Sequence, residues 1–336
     1  MAFRGVEIPA VSDTAYSGSG PGSLAGMLPA IKAMGATHVI LQPIMNNFVS
    51  ASNPVQTSDA TGSIPNIITA IAAIQAQGLK AVFKVSSQWA DGTDGESYAG
   101  TGGDNGAAFL TNYTAMLVTY AQMCQAHGVV HMEVCSEMDT LARANPAGYR
   151  SLIAAVRAHF GGTITYGATG WYYADITFWD ACDYIGIHGY FDLVPAAQVN
   201  TSNLNVAAMT AYLTSGTQSN GTPPPIPTLA AMSASLGKQV LFTETGYSSI
   251  IGCAYQPWNS ANQATHAVSQ ADQAAAYQAM LNAYTPQSWC AGINIWVGDW
   301  VGETQAQLAR DYTPDGRGTD GTVPKTAYST IQAAWA

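Results

Sequence analysis

Apolar residues fall along the chain in short, nearly continuous runs, separated by longer stretches with helical spacing. The runs rich in β-branched and aromatic residues are Phe3 to Ile8, Thr37 to Ile44, Lys80 to Ser87, Val129 to Glu137, Thr163 to Thr169, Cys182 to Tyr190, Lys238 to Gly246 and Gly292 to Trp300. Segments such as HVILQPI and KQVLF lack the alternation of a half-solvated strand and read as strands covered on both faces. Between the runs, Ile64 to Gln77 carries apolar residues at helical spacing and stops at Gly78, a residue suited to a left-handed C-terminal cap. Ala107 to Ala126 and Pro146 to Phe160 read the same way, the second with Asn145 as N-cap and Pro146 in its first turn.

Eight strands, each followed by helical sequence, predict an α/β fold: a single (β/α)8 TIM barrel over residues 1–336 with long βα loops on the catalytic face. A doubly wound open sheet is the competing architecture, and both place sites at strand C-termini. The glycine-rich stretch Gly18 to Ser23 lacks the third glycine of a dinucleotide fingerprint and reads as a βα loop. Gln88 to Asn105, Asn200 to Pro227 and Gly246 to Ala264 all follow strands, so they are expected to crowd the barrel mouth.

Composition narrows the partners. With 48% apolar residues among 336, the chain can bury a large core, while only 10% are charged, under half of the usual ~25%. Eleven basic against 21 acidic residues give a net charge of −10, which argues against nucleic acid and against an anionic membrane surface. A neutral or cationic substrate suits that field. No apolar run approaches the ~18 to 20 residues that span a bilayer, and MAFRGVEIPAV lacks the apolar core of a signal peptide. The low lysine content and uncharged polar surface lean toward a secreted protein with its signal absent from this form. The five scattered cysteines, never spaced CxxC and expected to be buried thiols, lean toward the cytoplasm.

Two carboxylates stand at strand ends: Glu137 in CSEMD and Glu244 in LFTETGYSS. In a barrel both project toward one mouth, where a carboxyl pair can split the labour of breaking an acetal. The alternative is that they cap neighbouring loops or pair with Lys84. Trp89, Trp171, Tyr190, Tyr247, Tyr255, Trp258, Trp296 and Trp300 also fall at or just beyond strand ends. Sugar rings stack their C–H faces on such aromatics, so eight on one face favour a polysaccharide cleft over core packing. His127 and His131 are four apart with Gly128 between them at a helix-to-strand junction, which does not read as a metal pair. Glu133, inside an apolar strand, needs a hydrogen-bonding partner in the barrel, for which Lys84 is a candidate. No metal or organic cofactor is expected.

The chain resembles the clan A retaining glycoside hydrolases, nearest to the family 113 β-mannanases. The matching stretches are RGVEI, GLKAVFKV with DGT at Asp91 to Thr93, CSEMD, FWDACDYIGIHGYF, VLFTETGYSS with Pro257–Trp258, WCAGINIW and DYTPDGR. The resemblance implies Glu137 as acid/base, Glu244 as nucleophile, Tyr190 turned toward the nucleophile, and Trp296 as the floor under the sugar being cleaved. The residues expected to bind substrate are Lys84, Trp89, Asp139, Trp171, His188, Tyr247, Trp258, Trp296 and Asp299. For Asp139 and Asp299 loop capping is an equal alternative, and for His188 a structural place in the barrel lip. The chain departs from the family where Trp usually follows the second-strand Pro (here Ile44 to Asn47), at Ser86 and Gln88, and at His188, which replaces an Asp. The implied activity is therefore double displacement on a β-linked polysaccharide or oligosaccharide, with mannan the first expectation. An acidic loop with Asp91, Asp94, Glu96 and Asp104 admits a cationic polymer such as chitosan. A glycan-binding barrel without turnover and a metal-dependent hydrolase are the rivals. The presence of both carboxylates argues against the first, and the absence of HxH and HExxH against the second.

Overall fold

A computed structural model of the protein describes residues 3–10, 16–18, 23–43, 63–85, 95–100, 106–259, 265–297, 310–314 and 325–336. Eight parallel strands close into a barrel in chain order: β1 (Phe3–Ala10), β2 (His38–Pro43), β3 (Lys80–Lys84), β4 (His131–Ser136), β5 (Thr163–Thr169), β6 (Ile185–His188), β7 (Val240–Glu244) and β8 (Cys290–Trp296). The helices between them include α1 (Leu24–Ala33), α2 (Ile64–Ala76), α3 (Ala107–Ala126), α4 (Asp139–Ala144), α5 (Pro146–Arg157), α6 (Val206–Ser215), α7 (Pro225–Leu236), α8 (Gln270–Tyr284) and α9 (Thr326–Trp335). The closed sheet rules out the doubly wound alternative. Asn145 caps α5 by accepting from the Gly148 N–H at 2.9 Å, and Gly78 takes φ +74° just past α2.

The runs are continuous because both strand faces are buried. Val6 and Ile8 face the helices and join the main core, while Phe3, Gly5 and Glu7 alternate with them and face the barrel axis. The lower interior is apolar and aromatic, with Phe3, Leu241 and Ala291 in one cluster, and Phe3 stacked on His38 at 4.3 Å. All five cysteines are buried free thiols.

Two expectations are corrected here. The segment Asn200 to Pro227 is not one loop, because α6 forms within it, capped by the Asn205 side chain on the Ala208 N–H at 2.9 Å. Strand β6 starts at Ile185 rather than Cys182, because a 3-10 turn at Trp179–Ala181 holds the Cys182 N–H on the Trp179 carbonyl. Among the described residues no helix is long and apolar enough to cross a membrane.

Candidate active site

At the C-terminal end of the barrel a layer of charged side chains replaces the apolar interior. Glu7 from β1, Lys84 from β3, Glu133 from β4, His188 from β6 and Glu244 from β7 all converge there, each at least nine-tenths buried. The Lys84 ammonium donates to Glu7 Oε1 at 3.0 Å and to Glu244 Oε1, with Glu133 Oε1 at 3.7 Å. Burial disfavours the charged lysine, but Glu133, Glu244 and Glu7 outweigh it and hold its pKa above the ordinary value. For Glu7 burial dominates, and its carboxyl is pushed well above the usual range.

His188 bridges this layer to Glu137. Its Nδ1 lies 2.7 Å from Glu137 Oε1, its Nε2 lies 3.0 Å from Glu133 Oε1, and Glu244 Oε2 is 3.6 Å from Nδ1. With a carboxyl oxygen at each ring nitrogen, both nitrogens are placed to donate, which is the imidazolium form. Burial opposes that charge, but Glu244, Glu137 and Glu133 overcome it and raise the imidazole well above its ordinary value. Room for the pair comes from Gly167 on β5: a Cβ there would stand 2.1 Å from Glu133 Oε1 and 2.5 Å from His188 Nε2.

Backbone irregularities aim both strand-end carboxylates. Strand β4 shifts register against β5 between Glu133 and Ser136, and Glu137 follows with φ +55°, left-handed for a residue with a side chain. The Glu137 N–H is held on the Gly167 carbonyl at 2.8 Å. Strands β6 and β7 also shift register beside His188, which pairs with Glu244. Glu244 accepts from Tyr190 Oη at 2.9 Å on Oε2 and from Lys84 on Oε1. Burial would raise this carboxyl, yet His188 and Lys84 hold it below the ordinary carboxylate range. One oxygen of Glu137 and one of Glu244 lie within 4.8 Å of each other.

A cavity of about 410 Å³ opens over this layer, and Glu137, His188, Tyr190, Trp171 and Trp258 line it. Trp296 ends β8 half-buried, edge-on to Tyr312 at 5.0 Å. Three residues expected to touch substrate do not reach the surface. Lys84 is wholly enclosed among carboxylates, and Tyr247 is packed against Tyr277 beneath the mouth. Asp139 is buried as well, accepting from Tyr166 Oη at 2.6 Å and from Thr169 Oγ1 at 2.7 Å, so it fastens the start of α4 to β5. Trp89, Trp300 and Asp299, with Asp91, Asp94 and Asp104, lie outside the described residues, as do Ile44 to Asn47, Ser86 and Gln88; Glu96 lines the cavity. The sequence reading passed over Glu7. Its position between Val6 and Ile8 was the available signal, because a carboxylate on a barrel strand must find a cation.

Glu137, His188 and Glu244 also present ligand atoms close enough for a metal ion. The Lys84 ammonium bonded to Glu244 and the imidazolium between Glu137 and Glu133 already balance those carboxylates, so a cation would have to displace or face them. His127 and His131 do not form a metal pair: His131 is buried with Nδ1 2.8 Å from Thr163 Oγ1.

Residues 23–317 match the model of Glycoside Hydrolase Family 113. Among solved structures, a GH113 β-1,4-mannanase aligns with TM-score 0.77 at 20% identity, covering 100% of this chain and 99% of that one. The GH113 β-mannanase AaManA from Alicyclobacillus acidocaldarius, solved with ManMIm, aligns with TM-score 0.76 at 21% identity, covering 99% and 96%. A structure of fungal β-1,4-galactanases reaches TM-score 0.60 at 14% identity, covering 99% and 100%. No curated protein sequence matches the chain. The structural likenesses speak for the barrel, and the match over most of the chain speaks for the family: the chain belongs to Glycoside Hydrolase Family 113 and is a glycoside hydrolase.

Proposed function

We propose that the protein hydrolyses β-1,4-mannan-type glycans with net retention, as one catalytic unit. The observation that carries this reading is the pair Glu137 and Glu244, with one oxygen of each within 4.8 Å of the other. Retaining enzymes set their carboxyl groups ~5 to 5.5 Å apart, whereas inverting enzymes leave ~6.5 to 9.5 Å for a water. Glu244, kept ionised by His188 and Lys84 and oriented by Tyr190, attacks the anomeric carbon. Glu137 protonates the departing oxygen. Water then enters, Glu137 takes its proton, and the bond from Glu244 to the sugar breaks. Lys84 stays bonded to Glu244 throughout, which favours the carboxylate as leaving group in that second step. Mannan rests on the solved GH113 relatives being β-mannanases.

The test is product release from mannan, glucomannan, chitosan, β-glucans and xylan, with Glu244→Ala alongside and the first-formed anomer followed by NMR. Release from mannan as the β-anomer, abolished in the variant, is the expected result. An α-anomer would rule out retention, and activity surviving in Glu244→Ala would rule out the nucleophile. Release from chitosan alone would move the substrate class.

A further inference from the structure

Two carboxylates of one strand hold a single imidazole between them. Glu133 lies within β4 and Glu137 just beyond its end, and across the register shift that follows Glu133 both reach His188 on β6. Strand β5 stands between β4 and β6 in the barrel. Gly167 on β5 opens the way, since a Cβ there would run into both Glu133 Oε1 and His188 Nε2.

The arrangement fixes the protons on the ring. His188 Nε2 has two charged neighbours, Glu133 Oε1 at 3.0 Å and the Lys84 ammonium at 3.4 Å. Burial would raise the Glu133 carboxyl, but Lys84 and His188 hold it below its ordinary value, so it is ionised and can only accept. Nε2 therefore carries a hydrogen. Nδ1 carries the other, with Glu137 Oε1 at 2.7 Å and Glu244 Oε2 at 3.6 Å. With Glu133 gone, Nε2 would face the ammonium with no anion on that side. A buried imidazolium beside a buried ammonium is disfavoured, so the ring would give up its Nε2 hydrogen and become neutral.

That charge matters in the first chemical step. Glu244 forms a bond to the anomeric carbon, the bond from that carbon to the leaving oxygen breaks, and the Glu137 proton passes to the leaving oxygen. Glu137 starts this step as an acid and ends it as a carboxylate. Because Oε1 accepts from Nδ1–H, the proton that moves sits on Oε2. A charged donor binds a carboxylate more strongly than a neutral acid, so the contact from Nδ1–H strengthens as the proton departs. An interaction that is stronger in the transition state than before it speeds the step.

We propose that Glu133 is a positioning residue for the acid step: by keeping the His188 ring charged and fixed, it lets Nδ1–H meet the negative charge that grows on Glu137 as the leaving oxygen is protonated. The inference rests on the assignment of Glu137 and Glu244 above. In the second step Glu137 begins as the carboxylate and takes a proton from water, so the same contact gives no help there.

The test compares kcat/KM on mannotetraose, whose leaving sugar needs the proton, and on 2,4-dinitrophenyl β-mannobioside, whose leaving phenolate does not. The proteins are the wild type, Glu133→Gln, His188→Asn, the double variant and Glu137→Ala. Glu133→Gln should lower the tetraose value by about tenfold or more and the aryl value by less than about twofold. His188→Asn should show the same selective loss, and adding Glu133→Gln to it should cost nothing more. Nitrogen NMR of the histidine side chains at pH 7, assigned with His188→Asn, should find both ring nitrogens of His188 protonated in the wild type and one bare in Glu133→Gln. An unchanged tetraose value, an equal loss on both substrates, or a neutral His188 in the wild type overturns the inference. The wild-type spectrum and His188→Asn decide the matter even where Glu133→Gln does not fold. Glu137→Ala separates this inference from the reading it rests on. If Glu137→Ala loses both substrates alike, Glu137 is not the acid and both fail; if it spares the aryl glycoside and Glu133→Gln does not, the inference alone fails. A wild type that cleaves a different β-glycan takes the same comparison on that glycan's tetraose and aryl bioside.

Discussion

The floor of the barrel sets a limit on acid stability that can be worked out from His131. Its ring is buried among Phe3 and Tyr184, its Nδ1 lies against Thr163 Oγ1, and its Nε2 has no partner. Burial outweighs the attraction of Glu133 and Asp183 and lowers the imidazole from 6.5 to about 4. Below 6.5 the unfolded chain takes up a proton that the folded chain refuses, so stability is full above 6.5 and is lost as pH falls toward 4. A gap of about 2.5 pH units, at 1.36 kcal/mol per unit, comes to about 3 kcal/mol. The perturbation is His131→Asn, which keeps a polar atom near Thr163 and leaves a small void worth about 1 to 2 kcal/mol at pH 7. Urea unfolding of both proteins from pH 7 to pH 4 cancels the groups that do not face this histidine; His38, which burial holds down at about 4 with the help of His131, is relieved in the variant and shifts the difference the same way. The variant should start less stable, and the difference should shift in its favour by about 3 kcal/mol at pH 4. A difference that stays constant across that range would refute the reasoning.

Three further perturbations address the charged layer. Gly167→Ala puts a Cβ into the space of Glu133 and His188; it should destabilise the fold by about 1 to 3 kcal/mol and cut kcat more than it raises KM, measured by urea unfolding and steady-state kinetics. Glu137→Gly and Glu137→Ala both remove the carboxyl and should both be inactive on mannan. Only the glycine relieves the left-handed backbone, so it should be the more stable of the two by about 0.5 to 1 kcal/mol in a thermal scan. Lys84→Met leaves buried carboxylates without their ammonium and should cost about 3 to 5 kcal/mol. Because Lys84 helps hold Glu244 below the ordinary carboxylate range, the acid limb of kcat/KM should move to higher pH, and an unmoved limb counts against that role.

The barrel was legible because its strands carry apolar residues on the face toward the helices wherever one looks along the chain, as Val39 and Leu41 or Ile185 and Ile187 do. Strand ends were less legible, since the extent of β6 depends on a 3-10 turn that no periodicity marks. In the site, Glu137, Glu244, Tyr190 and His188 meet in space because strand C-termini share one mouth. Lys84, Asp139 and Tyr247 fall at equally suggestive positions, but their side chains turn inward or behind the wall. Whether a strand-end residue faces the mouth or the rim is set by local register shifts such as those in β4 and β6, and these leave no mark in the pattern of polar and apolar residues.

The apolar plug of Phe3, Leu241 and Ala291 has a consequence for proton traffic. A closed barrel stoppered at its lower end leaves the charged layer one route to bulk water, through the mouth. The protons of Glu7, Lys84, Glu133, His188 and Glu244 therefore exchange with solvent through the same opening that admits glycan and water.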